Sequence, residues 1–207
     1  MCRDVSFVSF HQVGSVIKGG CIIVFVIIME DLRVINIVRT MTADRSLNLE
    51  LLYSNIDNSV LHTGRPEMLV IPMSNGRNLQ LFRGGKVQIF GNLKHDEAEE
   101  MRLDLIKKLK KILPNIQLSP IKIVNLVVSA ILKNVIPLRT ISSSNATVFY
   151  EAELFPAALI RKWHPAHIAV FHNGKVIITG VKSVTAVDSL ITELIPFPTQ
   201  LQSSCTK

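Results

Sequence analysis

The hydrophobic pattern of this chain is built from short β-branched and alternating runs separated by glycine-bearing turns. In two places it changes to three- and four-residue spacing, and these periods predict strands and helices respectively. A first strand is expected over residues 34–38. A helix follows over residues 47–56, with Ser46 as its N-cap. Strands at 68–73 and 78–82 flank the hairpin signal Ser74-Asn75-Gly76, and Arg83-Gly84-Gly85 turns into a strand at 86–90. Ala98, Met101, Leu105, Leu109 and Ile112 then form one helical stripe that ends at Pro114. Asp96, Glu97, Glu99 and Glu100 fill its first turns and Lys107, Lys108, Lys110 and Lys111 its last, which complements the helix dipole.

The second half repeats that order. A β-branched run covers 121–128. Pro137 and a polar stretch at 138–144 interrupt the place where a helix would recur. Strands are expected at 158–162 and 167–171 around a loop with Pro165, and His172-Asn173-Gly174 turns into a strand at 175–179. Ser183 caps a closing helix with Val184, Val187, Ile191 and Leu194 inward, stopped by Pro196.

The recurrence is literal. Phe82-Arg83-Gly84-Gly85-Lys86-Val87-Gln88-Ile89-Phe90-Gly91 returns as Phe171-His172-Asn173-Gly174-Lys175-Val176-Ile177-Ile178-Thr179-Gly180, with six of ten positions identical at an offset of 89. The same offset carries Ile35-Asn36-Ile37-Val38 onto Val124-Asn125-Leu126-Val127. Two distant blocks sharing one offset mark a tandem repeat. The expected organisation is an extension over 1–30, a first repeat over 31–118 and a second over 119–207. Strand–helix–strands–helix, made twice, is an α+β fold of antiparallel sheet with helices on one face. The other face is left uncovered. Val38, Val127, Val176, Phe82 and Phe171 are assigned to it, with Lys86, Lys94, Lys175, Lys182 and Arg161 at its rim. Such a surface reads as an interaction face.

Composition narrows the classes. The 207 residues are 48% hydrophobic and 19% charged, enough for a packed core, and they carry a net charge of +7. A basic balance favours a polyanionic partner such as nucleic acid. Arg3 and Lys18 cancel Asp4 and Glu30, so all of that charge lies beyond residue 30. The apolar run at 21–29 falls short of the ~20 residues a spanning helix needs, and Glu30 and Asp31 follow where a secretory peptide would place small residues. It is either an extra buried strand or part of an upstream segment, with the functional chain starting at Met29; membrane anchoring is not expected. Cys2, Cys21 and Cys205 have no paired spacing, which argues against a disulfide scaffold or a cysteine zinc site and fits a reducing compartment.

These elements resemble the TATA-box-binding protein family. Tyr150-Glu151-Ala152-Glu153-Leu154-Phe155-Pro156 is close to the family's YEPELFP, and residues 174–182 are close to its GKVVLTGAK. Asn36-Ile37-Val38 and Asn125-Leu126-Val127 match its paired asparagine strands. The resemblance spans about residues 32–197. It implies a saddle-shaped, pseudo-twofold sheet with helices on the convex face, which binds and bends A·T-rich promoter DNA through the minor groove; that bending is a family property and does not follow from the residue pattern. By resemblance, Asn36 and Asn125 donate to base acceptors, with Thr179 nearby, and Val38, Val127 and Val176 lie against sugars and base edges. Phe155 and Phe171 would wedge base steps under copy two. Copy one keeps Phe82, but the offset takes Phe155 to Pro66, Thr179 to Phe90 and Ile177 to Gln88. Arg65, Lys86, Lys94, Arg161, Lys175 and Lys182 would contact phosphates.

Glu151, Glu153 and Leu154 correspond to the family's acidic stirrup, which implies recruitment of a transcription factor IIB-like partner. A IIA-like factor, and indirectly the RNA polymerase machinery, are expected as well, in the nucleus or, for a viral protein, in the host nucleus or at a cytoplasmic replication site. The basic helix at 107–111 resembles the one through which the family meets other regulators. No P-loop, GxSxG motif or paired carboxylates point to an enzyme, and no cofactor is expected. His164, His167 and His172 lack supporting cysteine or carboxylate for a metal site. Asn145-Ala146-Thr147 fits a glycosylation acceptor that has no meaning without secretion. Two function classes stand: a DNA-bending initiation factor, and an interaction scaffold that keeps the saddle for protein partners and binds DNA weakly.

Overall fold

The computed structural model describes residues 8–18, 21–133, 138–139, 148–161, 165–183, 185–187 and 189–190, with side chains from Glu30 onward. In chain order the elements are β1 (Val8–Lys18), β2 (Cys21–Thr42), α1 (Leu49–Asn55), β3 (Val60–His62), β4 (Met68–Pro72), β5 (Asn78–Phe82), β6 (Lys86–Phe90) and α2 (His95–Lys110). They continue with β7 (Lys122–Leu132), β8 (Val148–Phe149), β9 (Ala157–Ile160), β10 (His167–Phe171) and β11 (Lys175–Val181). The chain divides into two compact units. Among the described residues, one comprises 36–124; the other holds those from 8 to 35 together with those from 125 onward.

In the first unit the sheet runs β3-β4-β5-β6 and then the end of β2, all antiparallel. Alternation is strict where the sequence alternates. Leu69, Ile71, Leu79, Leu81, Val87 and Ile89 are fully buried, and each intervening residue is half-buried or exposed. The buried set packs against Leu49 and Leu52 of α1 and against Ala98, Met101, Leu105 and Leu109 of α2. Each fully buried leucine of that stripe contributes about 1.5–3 kcal/mol. The backbone N–H of Lys94 donates to Glu97 Oε2 at 2.7 Å, fixing the start of α2.

The first helix begins later than its sequence pattern predicts. Asn48, not Ser46, is the N-cap, and its Oδ1 accepts from Leu51 N–H at 2.9 Å. Leu47 is buried, and its N–H donates to Arg83 O at 2.8 Å. That bond holds the chain extended past Ser46 and so delays the first helical turn. The segment after α2 returns along the end of β2, where Ser119 N–H donates to Thr42 O and Thr42 N–H to Ser119 Oγ.

The second unit repeats the strand order as β8-β9-β10-β11-β7, again antiparallel. Its turns dock as they do in the first. Ala43 N–H donates to Gly85 O, and its 89-residue counterpart Leu132 N–H donates to Gly174 O, both at 2.8 Å. Ser183 Oγ accepts from Ala186 N–H at 3.2 Å, the expected cap, and Val187 is buried. Val184, Ile191, Leu194, Pro196, Pro137, His164 and residues 140–147 lie outside the described residues. In the same unit β1 pairs antiparallel with β2 from Val8 opposite Leu32 to Lys18 opposite Cys21. The apolar run at 21–29 is thus the first part of a single strand that continues to Thr42. Among the described residues no helix is long and apolar enough to cross a membrane.

Candidate nucleic-acid interface

Pleat parity decides which side chains each sheet presents on the face opposite the helices. Across β3, β4, β5, β6 and β2 the partners line up as Val60, Val70, Gln80, Gln88 and Thr40. Across β8, β9, β10, β11 and β7 they line up as Phe149, Leu159, Ala169, Ile177 and Ser129. Every member of the second row is its counterpart in the first plus 89. The sequence offset is therefore also a structural register. Val60 and Phe149 are each 52% exposed, and apart from Ser129 the remaining members are half-buried.

The asparagines sit at matched places and are held identically. Gly91 N–H donates to Asn36 Oδ1 at 2.9 Å, and Gly180 N–H donates to Asn125 Oδ1 at 2.7 Å. Gly180 has φ +83, and a Cβ there would stand 2.2 Å from Pro165 O, so the donor is locked in place by backbone that only glycine accommodates. With the carbonyl oxygen engaged, each amide retains its NH2 as a donor pair, in a position only half-buried. Val38 and Val127 lie two residues further along the same strands, also half-buried; Val38 is paired with the exposed Phe90. Thr179 is half-buried opposite His167.

Val176 does not belong to this face. It is fully buried on the side opposite Ile177, paired with Ala130 and Val170. Val176 and Thr179 are three residues apart, and a strand of period two cannot present both on one side. Ile177 takes the outward place instead.

The two ends differ. In the second unit Phe155 and Phe171 meet with ring centroids 6.2 Å apart and planes tilted by 57°, and Phe155 remains 44% exposed. Just before it, Leu154 and Phe155 N–H both donate to Glu151 O at 3.0 Å, forming a turn that holds Glu151, Glu153 and Leu154 exposed. At the corresponding end of the first unit, Pro66 is exposed and Phe82 is paired with Met68. Beside them the Arg83 guanidinium donates to both carboxylate oxygens of Glu67 at 2.9 Å and to Glu50 at 2.7 Å. Glu67 first and Glu50 second raise the Arg83 pKa, and the Arg83 hydrogen bond lowers that of Glu50. This cation is already engaged by two carboxylates, and its counterpart is His172.

All six expected phosphate contacts are exposed: Arg65, Lys86, Lys94, Arg161, Lys175 and Lys182. Lys86 and Lys175 open β6 and β11 as counterparts. Arg161 lies over the Phe149 ring at 5.3 Å, a cation–π contact that orients it along the sheet edge. Residue-type reasoning alone missed Val70, Gln80, Leu159 and Ala169. Counting back by two from Phe82 and Phe171 gives Gln80 and Ala169, and the cross-strand register then gives Val70 and Leu159.

A chain that repeats one strand order at a fixed offset, with a sheet face in each repeat that carries no helix among the described residues, belongs to the class of tandem-repeat sheet proteins. The family model for "Transcription factor TFIID (or TATA-binding protein, TBP)" matches residues 31–112 and 120–198. The chain belongs to this family, a non-enzymatic family of DNA-binding transcription factors. It is 32% identical over 160 residues to the TATA-box-binding protein of Methanocaldococcus jannaschii, covering 75% of this chain and 87% of that one. It is 26% identical over 162 residues to TATA-box-binding protein-like 1 of Entamoeba histolytica, covering 77% and 75%. Among solved structures, Methanococcus jannaschii TBP matches with a TM-score of 0.68 at 27% identity, over 82% of this chain and 99% of that one.

Proposed function

We propose that the chain is a transcription initiation factor that binds and bends A·T-rich, TATA-like promoter DNA through the minor groove and recruits IIB-like and IIA-like factors in the nucleus. In this reading the repeats are 31–118 and 119–207, each taking half of the site, with 1–30 as an extension. The observation that carries it is the matched pair of pinned asparagines. The minor groove at A·T pairs offers only acceptors, and a half-buried amide whose oxygen is held by a backbone N–H keeps its NH2 as a matching pair of donors. Apolar neighbours follow the shape of the groove and leave a guanine amino group without a partner. Phe155 and Phe171 act as wedges, and the six exposed cations hold phosphates. Glu151, Glu153 and Leu154 form the partner contact.

The test is a salt series on A·T-rich and G·C-rich duplexes. Six phosphate contacts give a slope of about −5 in log affinity against log salt. The A·T-rich duplex is expected to bind more tightly throughout, and equal affinity for the two would refute groove reading. A second reading, an interaction scaffold with weak DNA binding, is favoured by Pro66 at a wedge position and by Gln88 and Phe90 on the first sheet. It predicts weak binding with no difference between the two duplexes at any salt concentration.

A further inference from the structure

We infer that Gln80 and Gln88 form a guanine-accepting site on the first unit's sheet, so that the two halves of the DNA site obey different sequence rules. The inference rests on the minor-groove reading above and makes it more specific.

Gln80 on β5 and Gln88 on β6 are direct cross-strand partners on the outward face. Both are half-buried, and among the described residues neither side-chain amide makes a hydrogen bond. Thr40, next in the row, already donates to Val87 O at 3.0 Å. Two adjacent carboxamides therefore stand among apolar neighbours, Val70, Phe82 and Phe90, with their hydrogen-bonding capacity unspent. The places that match them in the second unit are Ala169 and Ile177, paired in the same register.

The chemistry of the groove gives this difference a meaning. Covering a carboxamide without giving it a partner is costly. Facing A·T pairs, each glutamine can donate to adenine N3 or thymine O2, but its Oε1 finds no donor. A G·C pair adds the guanine 2-amino group, the one donor on the groove floor. Gln Oε1 can accept from that group while Nε2 donates to an adjacent base acceptor. Ala169 and Ile177 can do neither, and they leave the same amino group buried and unpaired. A G·C pair is thus accommodated under the first unit and penalised under the second. This also fixes the direction in which a repeat-symmetric protein lies on its site.

The test uses the full-length chain and a duplex set in which one G·C pair is walked through an A·T-rich site, with affinities read by fluorescence anisotropy at one salt concentration. Each guanine is also replaced by inosine, which lacks the 2-amino group. In one half of the site G·C is expected to cost less than about twofold. In the other it is expected to cost at least about fivefold, the low end of what one unfavourable pair costs. Replacing guanine by inosine is expected to weaken binding in the tolerant half and strengthen it in the other. Gln80→Ala with Gln88→Ile, the residues of the second unit, is expected to make both halves intolerant. The inosine comparison needs no variant, so a misfolded double mutant does not spare the proposal. Equal G·C costs in the two halves, or no inosine effect in the tolerant half, overturns it while leaving groove binding intact. Failure of the wild-type chain to bind the A·T-rich reference duplex overturns the proposed function, and this inference with it.

Discussion

Replacing Asn125 by aspartate or by alanine separates the two roles of one side chain. Oδ1 accepts Gly180 N–H at 2.7 Å, and the NH2 is the group proposed to reach DNA. Asn125→Asp keeps an acceptor for Gly180, removes both donors and adds a negative charge to the outward face. Asn125→Ala removes everything. For the fold, one intramolecular hydrogen bond is worth ~0.5–1.5 kcal/mol net. Gly180 is only half-buried, so water can replace part of what is lost and the lower half of that range applies. In a chain of this size ~1 kcal/mol moves Tm by about 2–4 °C. Asn125→Ala is expected to melt about 2 °C lower, whereas Asn125→Asp, with a charge-assisted bond to the same N–H, stays within about 1 °C of wild type at neutral pH. For DNA the order reverses. Both variants lose a base contact worth ~1–3 kcal/mol, and the carboxylate also faces groove acceptors without a partner, so Asn125→Asp binds worst. Thermal melts and anisotropy on one A·T-rich duplex read the two effects independently. If Asn125→Asp binds DNA as wild type does, the amide donates nothing to the groove and the asparagine is only a clip for β11. The same pair of substitutions at Asn36, which accepts from Gly91, is expected to behave alike.

The wedges are expected to act unequally. Phe155 and Phe171 support one another in the second unit, so Phe155→Ala or Phe171→Ala costs more affinity, ~1–3 kcal/mol, than Phe82→Ala, and Pro66→Phe strengthens binding. End-to-end distances on dye-labelled duplexes, with a dissociation constant for each variant, check this; equal losses and an inert Pro66→Phe would count against it. Glu151→Arg combined with Glu153→Arg, both exposed in the turn before Phe155, is expected to abolish capture of a IIB-type factor while duplex affinity holds or rises. Loss of duplex binding in that double variant would show that the turn had been assigned the wrong role.

What the sequence disclosed, and what it withheld, follows the length scale of each interaction. The offset of 89 was legible because the strand–turn–strand block from Phe82 to Gly91 must satisfy one backbone geometry twice. Gly85 and Gly174 turn at φ +85 and +81 and receive the same N–H from Ala43 and Leu132. Strands β5 and β10 had the predicted bounds, because five alternating residues between turn signals leave no freedom. Strands β3 and β8, with three and two residues, are too short to show a period; they form only because β4 and β9 offer an edge. Ser46 was a sound cap by residue type and lost to Asn48 because Leu47 had a tertiary partner, which no local pattern reveals.

Val176 is the more instructive case. Its assignment to the outward face followed chemical likeness to Val38 and Val127, whereas the strand period alone, counted back from Thr179, excludes it. That same count places Ile177 outward, and the repeat offset aligns it with Gln88 and Ala169 with Gln80. The alignment gives the pairs but not their accessibility or their hydrogen-bonding state. Those depend on Leu79, Leu81, Val87 and Ile89 filling the opposite side against the helices, which leaves the glutamines nowhere to turn but outward. A polar pair held on the bare side of a sheet by the packing of its other side is a specificity element, because the fold leaves its hydrogen bonds to be completed by whatever the sheet covers.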